Sequence, residues 1–266
     1  MVLFGGWGGS PAAELGDTWT WDCQRWSKLS PSAAPPPRQL AAADFDSDSH
    51  SVLLFGGEKA PHSAFGDTWS WNGSAWTELH PTVAPPARMG AAFAFSPTLH
   101  RAILFGGFDG ASYLGDTWSW DGSAWSKLDA PVAPPARSNA GFGFDGDRLV
   151  LYGGGGASVT YGDTWMFNGE WSQVQPPTSP PKRSEAALAE DVSESSLVLF
   201  GGGPTDTWTW RSGAWSESKV AAPPARSGYM LAFYPLAQKT VLFGGSANGS
   251  FLNDAWLWNG QSWASL

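Results

Sequence analysis

The chain has 266 residues, of which 42% are apolar and 14% aromatic but only 15% charged. That is enough apolar surface to bury a substantial all-β core, and it argues against disorder. A formal charge of −9 argues against a nucleic-acid partner, which would require a basic stripe, and against docking on an anionic membrane. No run of 18 apolar residues occurs, so no spanning helix is expected.

The chain begins MVLFGG, directly in a repeated pattern, so no signal peptide is expected in the chain as given. Cys23 is the one cysteine, which rules out an internal disulfide and leaves the compartment open.

The repeat unfolds in a fixed order. An apolar run closes on two glycines: VLFGG at 2–6, LLFGG at 53–57, ILFGG at 103–107, VLYGG at 150–154, then VLFGG at 198–202 and 241–245. A loop of variable length leads to GDTW at 16–19, 66–69, 115–118 and 162–165, which becomes TDTW at 205–208 and NDAW at 253–256. A Trp-x-Trp alternation follows, then a turn, then another Trp that opens a further strand. Asn72–Gly73, Asp121–Gly122, Asn168–Gly169 and Asn259–Gly260 occupy that turn, as hairpins needing positive φ favour. The first copy has Asp22–Cys23 there, which makes Cys23 an expected surface thiol. A proline-rich run ends each unit at Arg38, Arg88, Arg137, Arg183 or Arg226, and a short alternating strand such as 141–144 comes next.

Each unit therefore reads as four strands: A after the arginine, B before the glycines, C at DTW and D from the last Trp. A period near fifty built from short strands points to a propeller. The double glycine, the Trp spacing and the Pro-x-Arg segment before strand A resemble the kelch repeat and the related propeller of galactose oxidase-type domains, over essentially the whole chain. The resemblance implies an all-β, six-bladed propeller of four-stranded antiparallel blades, a single domain with repeats at about 1–37, 38–87, 88–136, 137–182, 183–225 and 226–266. The family hosts protein binding, sugar chemistry and plain scaffolding alike, so the fold does not name the function.

Strand A is present five times and the others six, so the first blade is expected to lack its innermost strand and to leave the edge of VLFGG unpaired. A longer parent polypeptide, a three-stranded blade or a strand from a neighbouring chain would each account for this, and the first is favoured.

Seventeen of the eighteen tryptophans recur at fixed repeat positions, and Phe167 fills the one gap. A residue found in every blade at one register is expected to fill space between blades. Trp7, in the first B–C loop, stands outside the register and is a candidate ligand contact.

Strand parity places the D–A connections and the B–C loops at one end of the blades. Function on a rigid scaffold usually lies in such irregular loops. His62, Tyr113 and Tyr161 sit in B–C loops there. The residue two after each arginine varies freely (Leu40, Gly90, Asn139, Glu185, Gly228), and Asn139 and Glu185 are the polar candidates. The arginines admit two readings. They could bind carboxylates at a channel mouth, with Arg88, Arg137 and Arg183 as ligand contacts, or each could pair with a GDTW aspartate as architecture; repetition favours the second.

No catalytic motif is present, no catalytic residue is assigned, and no cofactor or metal is expected. Copper chemistry of the galactose oxidase kind would need a cysteine near the loop end, and parity puts Cys23 at the other. His50 and His100 fall in A–B turns as expected isolated surface histidines. The expected function is a non-catalytic module presenting the loop face to a protein or peptide. The alternative is a carbohydrate binder, or a sugar epimerase or mutarotase, with an arginine-lined mouth where Glu185 and Asn139 handle protons. A structural repeat within a larger protein is the third reading.

Overall fold

A computed structural model describes residues 1–266 apart from 10, 23, 60, 61 and 192–195, so the turn position expected of Cys23 lies outside the described residues. Among the described residues every regular element is a strand. The strands form six antiparallel blades, five of four strands and a first of three, the expected six-bladed propeller fold class. The chain divides into two compact units, 1–131 and 132–266, with three blades in each. The division falls in the proline-rich connection after blade 3.

Unit 1 holds the three-stranded blade 1, with B at Val2–Phe4, C at Thr18–Trp21 and D at Trp26–Leu29. Blade 2 runs A to D as Ala42–Asp46, Ser51–Phe55, Thr68–Trp71 and Trp76–Leu79. Blade 3 runs Ala92–Ser96, Arg101–Phe105, Thr117–Trp120 and Trp125–Leu128. In blade 3 the whole of strand A and most of strand B are buried, so both lose the polar-out alternation of a one-faced sheet. The core joins Phe55 of blade 2 to Phe93, Phe95, Trp118 and Trp125 of blade 3. A second cluster joins Leu54, Trp69, Trp71 and Trp76 of blade 2 to Val2 and Phe4 of blade 1.

Unit 2 repeats the plan. Its A strands are Gly141–Phe144, Ala186–Asp191 and Met230–Tyr234. Its B strands are Leu149–Tyr152, Ser196–Gly201 and Lys239–Phe243. Each A strand pairs with B, B with C and C with D. Small residues at Gly141 and Gly143 admit the next blade, since a Cβ at either would stand 3.1 Å from a Leu188 or Leu197 side chain.

The tryptophans do structural work of two kinds. The Trp opening strand D donates its indole N–H to the Thr that begins strand C of the preceding blade: Trp76 to Thr18, Trp125 to Thr68, Trp215 to Thr164 and Trp263 to Thr207, at 2.9–3.0 Å. The Trp in GDTW donates to the Asp two residues earlier at 2.7–2.8 Å in all six blades. Burying the indole body while satisfying its N–H avoids an unpaired donor in the core.

The C–D turns are longer than the Asn-Gly pair suggests. Asn72, Asp121 and Asn259 begin four-residue loops in which the side-chain oxygen accepts two following backbone N–H groups, with the glycine at φ 90–96°. Blade 5 alone closes on two residues, Ser212 (φ 51°) and Gly213 (φ 81°), the conformation of a type I′ hairpin. In the A–B turns, His100 is not isolated: its Nδ1 lies 2.7 Å from Asp48 Oδ2. His50 Nδ1 bonds the Ser47 carbonyl.

Candidate functional site

The loop end of each unit is built around its arginines. The prolines hold the D–A connection extended, which delivers the arginine side chain under the double glycine of its own blade. Arg88 is representative. Its Nε donates to Pro86 O (3.0 Å), Nη1 to Gly106 O (2.9 Å) and Asp116 Oδ1 (2.6 Å), and Nη2 to Asp116 Oδ2 (3.0 Å). Arg38, Arg137, Arg183 and Arg226 repeat the arrangement with Asp67, Asp163, Asp206 and Asp254. All five side chains have no solvent exposure. This is the architectural pairing, fork against fork, and it leaves Arg88, Arg137 and Arg183 beneath the surface rather than on it.

Burial pushes the Asp67, Asp116, Asp163 and Asp206 carboxyls up, but hydrogen bonds from arginine and tryptophan together with the arginine charge outweigh it. All four rest below the ordinary value. Asp254 is held down to about 2, chiefly by its bond from Arg226.

The double glycines follow from this crowding. A Cβ on Gly56 (φ +66°) would stand 2.4 Å from Arg88 O, and one on Gly57 (φ +94°) 2.7 Å from Gln39 O. The Gly57 N–H donates to the same Arg88 carbonyl at 2.9 Å, tying the loop of one blade to the arginine of the next.

Two residues past each arginine the backbone enters the left-handed region at every copy: Leu40 (φ 54°), Gly90 (60°), Asn139 (54°), Glu185 (61°) and Gly228 (62°). Within unit 2 the Glu185 N–H donates to Asn139 O at 2.9 Å, and within unit 1 the Gly90 N–H donates to Leu40 O at 3.0 Å. The backbone is thus fixed while the side chain changes from copy to copy. Asn139 is half-buried, its side chain 3.4 Å from Ser138 Oγ, and Glu185 is exposed.

The other loop candidates divide between the units. In unit 1, Trp7 is 42% exposed and pairs with Glu14 across a short hairpin in the B–C loop. His62 is exposed, with Nδ1 3.6 Å from the buried Glu58 carboxylate, whose other oxygen accepts from Gln39. Tyr113 packs its ring on Phe108 with centroids 5.0 Å apart. In unit 2 the Tyr161 ring lies over the Arg137 guanidinium at 3.8 Å, as Phe65 covers Arg38 at 4.0 Å in unit 1. The structure therefore brings Asn139 and Glu185 together through a backbone bond, sets Tyr161 as a cover on a buried arginine, and leaves Trp7, His62 and Glu185 exposed to solvent.

Two residues of consequence do not announce themselves in the sequence. Tyr229 reaches across blades to accept from the Ala187 N–H at 3.0 Å and to donate to the Phe200 carbonyl, and burial raises its phenol pKa. Asp44 accepts from the Phe95 N–H (2.7 Å) and the Phe45 N–H (2.8 Å). Burial, opposed by those two bonds, pushes its carboxyl up to about 6. Both occur once, so no repetition marks them. Among the described residues no three His, Cys, Asp or Glu side chains are grouped as for a metal ion.

Comparison with curated proteins gives no match. A family model for the KLHDC2/KLHL20/DRC7 Kelch-repeats domain matches residues 1–202. That span covers blades 1–4 and strands A and B of blade 5, and with the arginine–aspartate pairs, the double glycines and the blade pairing it settles the family: the chain belongs to the kelch-repeat proteins.

Proposed function

We propose that the protein is a non-catalytic binding module that presents the B–C and D–A loop face to a protein or peptide partner. Kelch propellers commonly serve as protein-interaction modules, and one observation carries the reading here. At the residue two after each arginine the backbone is held at positive φ in every copy, yet the side chain runs Leu40, Gly90, Asn139, Glu185, Gly228. Positive φ at a non-glycine residue is strained, and such strain persists where the surroundings over-determine it. A conserved geometry under changing chemistry is what a recognition surface on a repeated scaffold requires.

The contact set proposed for the unit 2 loops is Asn139 and Glu185, with the Tyr161 edge beside them. In unit 1 it is Trp7, His62 and Tyr113. The sugar reading depends on guanidinium groups free to hold an anion, and the five arginines are already committed to aspartates, so the peptide reading is the better supported. Selection from a displayed peptide library tests the proposal. Selected peptides should lose about tenfold or more in affinity on Glu185→Ala or Asn139→Ala, and nothing on Asp121→Ala in a C–D turn. Peptides that ignore both loop variants, or an acidic sugar bound in preference to every peptide, would overturn it.

A further inference from the structure

The residue that follows the double glycine opens the B–C loop, and in the six copies it is Trp7, Glu58, Phe108, Gly155, Gly203 and Ser246. The residue that follows the arginine bridges it: Gln39 pairs with Glu58, Met89 with Phe108, Ser138 with Gly155 and Ser227 with Ser246. The bridge asks little of these side chains, since an apolar pair, a serine with a glycine and two serines all sustain it. Glu58 is the one ionisable residue at the position.

Its carboxylate is buried, the side chain only 8% exposed, and it is half satisfied. Gln39 Nε2 donates to Oε1 at 2.9 Å, while among the described residues nothing donates to Oε2. His62 Nδ1 stands 3.6 Å from that oxygen, beyond hydrogen-bond length. The imidazole is 72% exposed, on a residue held at φ 59°. Lys59 is exposed and, one residue on in the strand, points to the opposite face of the hairpin. A buried acceptor without a donor is destabilising, the more so when it carries charge, and blades 3, 4 and 6 form the same bridge without one. The scaffold has no use for this carboxylate.

We infer that Glu58 anchors a subsite for a lysine side chain of the partner polypeptide, a reading that rests on the loop face being the peptide-binding face. The ammonium donates to Oε2, and the exposed His62 ring swings clear to admit it. The site prefers lysine to arginine because Gln39 already occupies Oε1: a guanidinium fork needs both carboxylate oxygens, a compact ammonium only one. Asp67 shows the contrast, with both of its oxygens accepting from Arg38. Trp7 and Phe108 hold the same register in the blades on either side and offer apolar surface to the methylene stem. On the Phe108 side the two loops touch, since a Cβ on Gly110 would stand 3.1 Å from the His62 carbonyl. The formal charge of −9 favours the approach of a basic partner.

A displayed library of random peptides selected against the full chain supplies the probes, with affinities read by fluorescence anisotropy. Selected peptides should carry lysine at one fixed position, and arginine or norleucine there should weaken binding about tenfold or more. Glu58→Gln should weaken the lysine peptide as much and leave the norleucine peptide unchanged. Glu78→Gln, exposed on strand D of the same blade, should change nothing. Glu58→Gln should also melt no earlier than the parent; a fall of several degrees would make the carboxylate architectural and overturn the inference. Peptides with no lysine preference, or indifferent to Glu58→Gln while Asn139→Ala or Glu185→Ala weakens them, would overturn the lysine subsite and leave the loop-face reading standing. If selection yields no peptide, the loop-face reading fails. Titration with N-acetyl-lysine methylamide, followed at the Gln39 side-chain amide by NMR, then decides the subsite alone: a saturable shift abolished by Glu58→Gln upholds it, and no shift overturns it.

Discussion

Replacement of Arg88 by alanine separates architecture from ligand binding most sharply. The side chain has no solvent exposure and makes four hydrogen bonds, two of them to the Asp116 carboxylate. Its loss leaves that partly buried carboxylate with only the Trp118 indole, and leaves the buried Gly106 carbonyl without its guanidinium partner. Removing one partner of a buried pair costs about 3–5 kcal/mol, because the charge left behind is uncompensated. Arg88→Lys restores the charge but not the fork, and should recover part of that loss. At roughly 2–4 °C per kcal/mol for a chain of this size, the alanine variant should melt about 6–20 °C earlier. Urea unfolding followed by tryptophan fluorescence measures this, with the slope checked for a change in cooperativity. A variant within about 1 kcal/mol of the parent would refute the reasoning and return Arg88 to the list of ligand contacts.

Three further outcomes follow from the same geometry. Thr68→Val, which strands the Trp125 indole N–H in the core, should cost about 1–3 kcal/mol in urea unfolding, against a few tenths for an exposed control such as Thr77→Val. Gly57→Ala should be more damaging than Gly122→Ala: both have positive φ, but the new Cβ would stand 2.7 Å from the Gln39 carbonyl in the first and meet nothing within 4 Å in the second, where only the ~1 kcal/mol backbone cost applies. Melting scans against pH should show two opposing trends. The arginine-paired aspartates have lowered pKa values, so their contribution is complete above the ordinary carboxylate range and is lost as pH falls through the folded values, to about 2 for Asp254. Asp44 is raised, so its contribution is complete below 3.8 and is lost as pH rises through about 6. Its half-buried carboxyl limits the effect to about 1 kcal/mol, and Asp44→Asn should flatten the scan between about pH 4 and 6.

Repetition decided what the sequence could reveal. The double glycine, the GDTW aspartate and the arginine recur in register, so the blade order, the arginine–aspartate pairing and the inward tryptophans were legible before any coordinates. The absence of strand A from blade 1 was legible for the same reason. Features that occur once were not. Asp44, Tyr229 and the His100–Asp48 contact depend on which side chains two adjacent blades bring together, and no spacing within one repeat encodes that. The Asn-Gly pair marks the C–D turn without setting its length: the following Ser-Ala residues in blade 2 offer the Asn72 side chain two N–H donors, and a longer loop wins. Only the Ser-Gly pair of blade 5 makes the tight turn, because it lacks that cap. At the loop face, sequence variation pointed to Asn139 and Glu185, but the positive φ they share is a property of the backbone alone.

The most direct measurement places stability and binding side by side in one alanine panel, with a peptide selected against the loop face as ligand. Repeated positions Arg183 and Trp208 should lower the melting temperature, while Asn139 and Glu185 should leave it within about 2 °C, as surface changes of a few tenths of a kcal/mol do, and should weaken binding about tenfold or more. Folding defects at Asn139 and Glu185 with binding intact in the folded fraction would contradict the division between a repeated scaffold and a variable recognition surface.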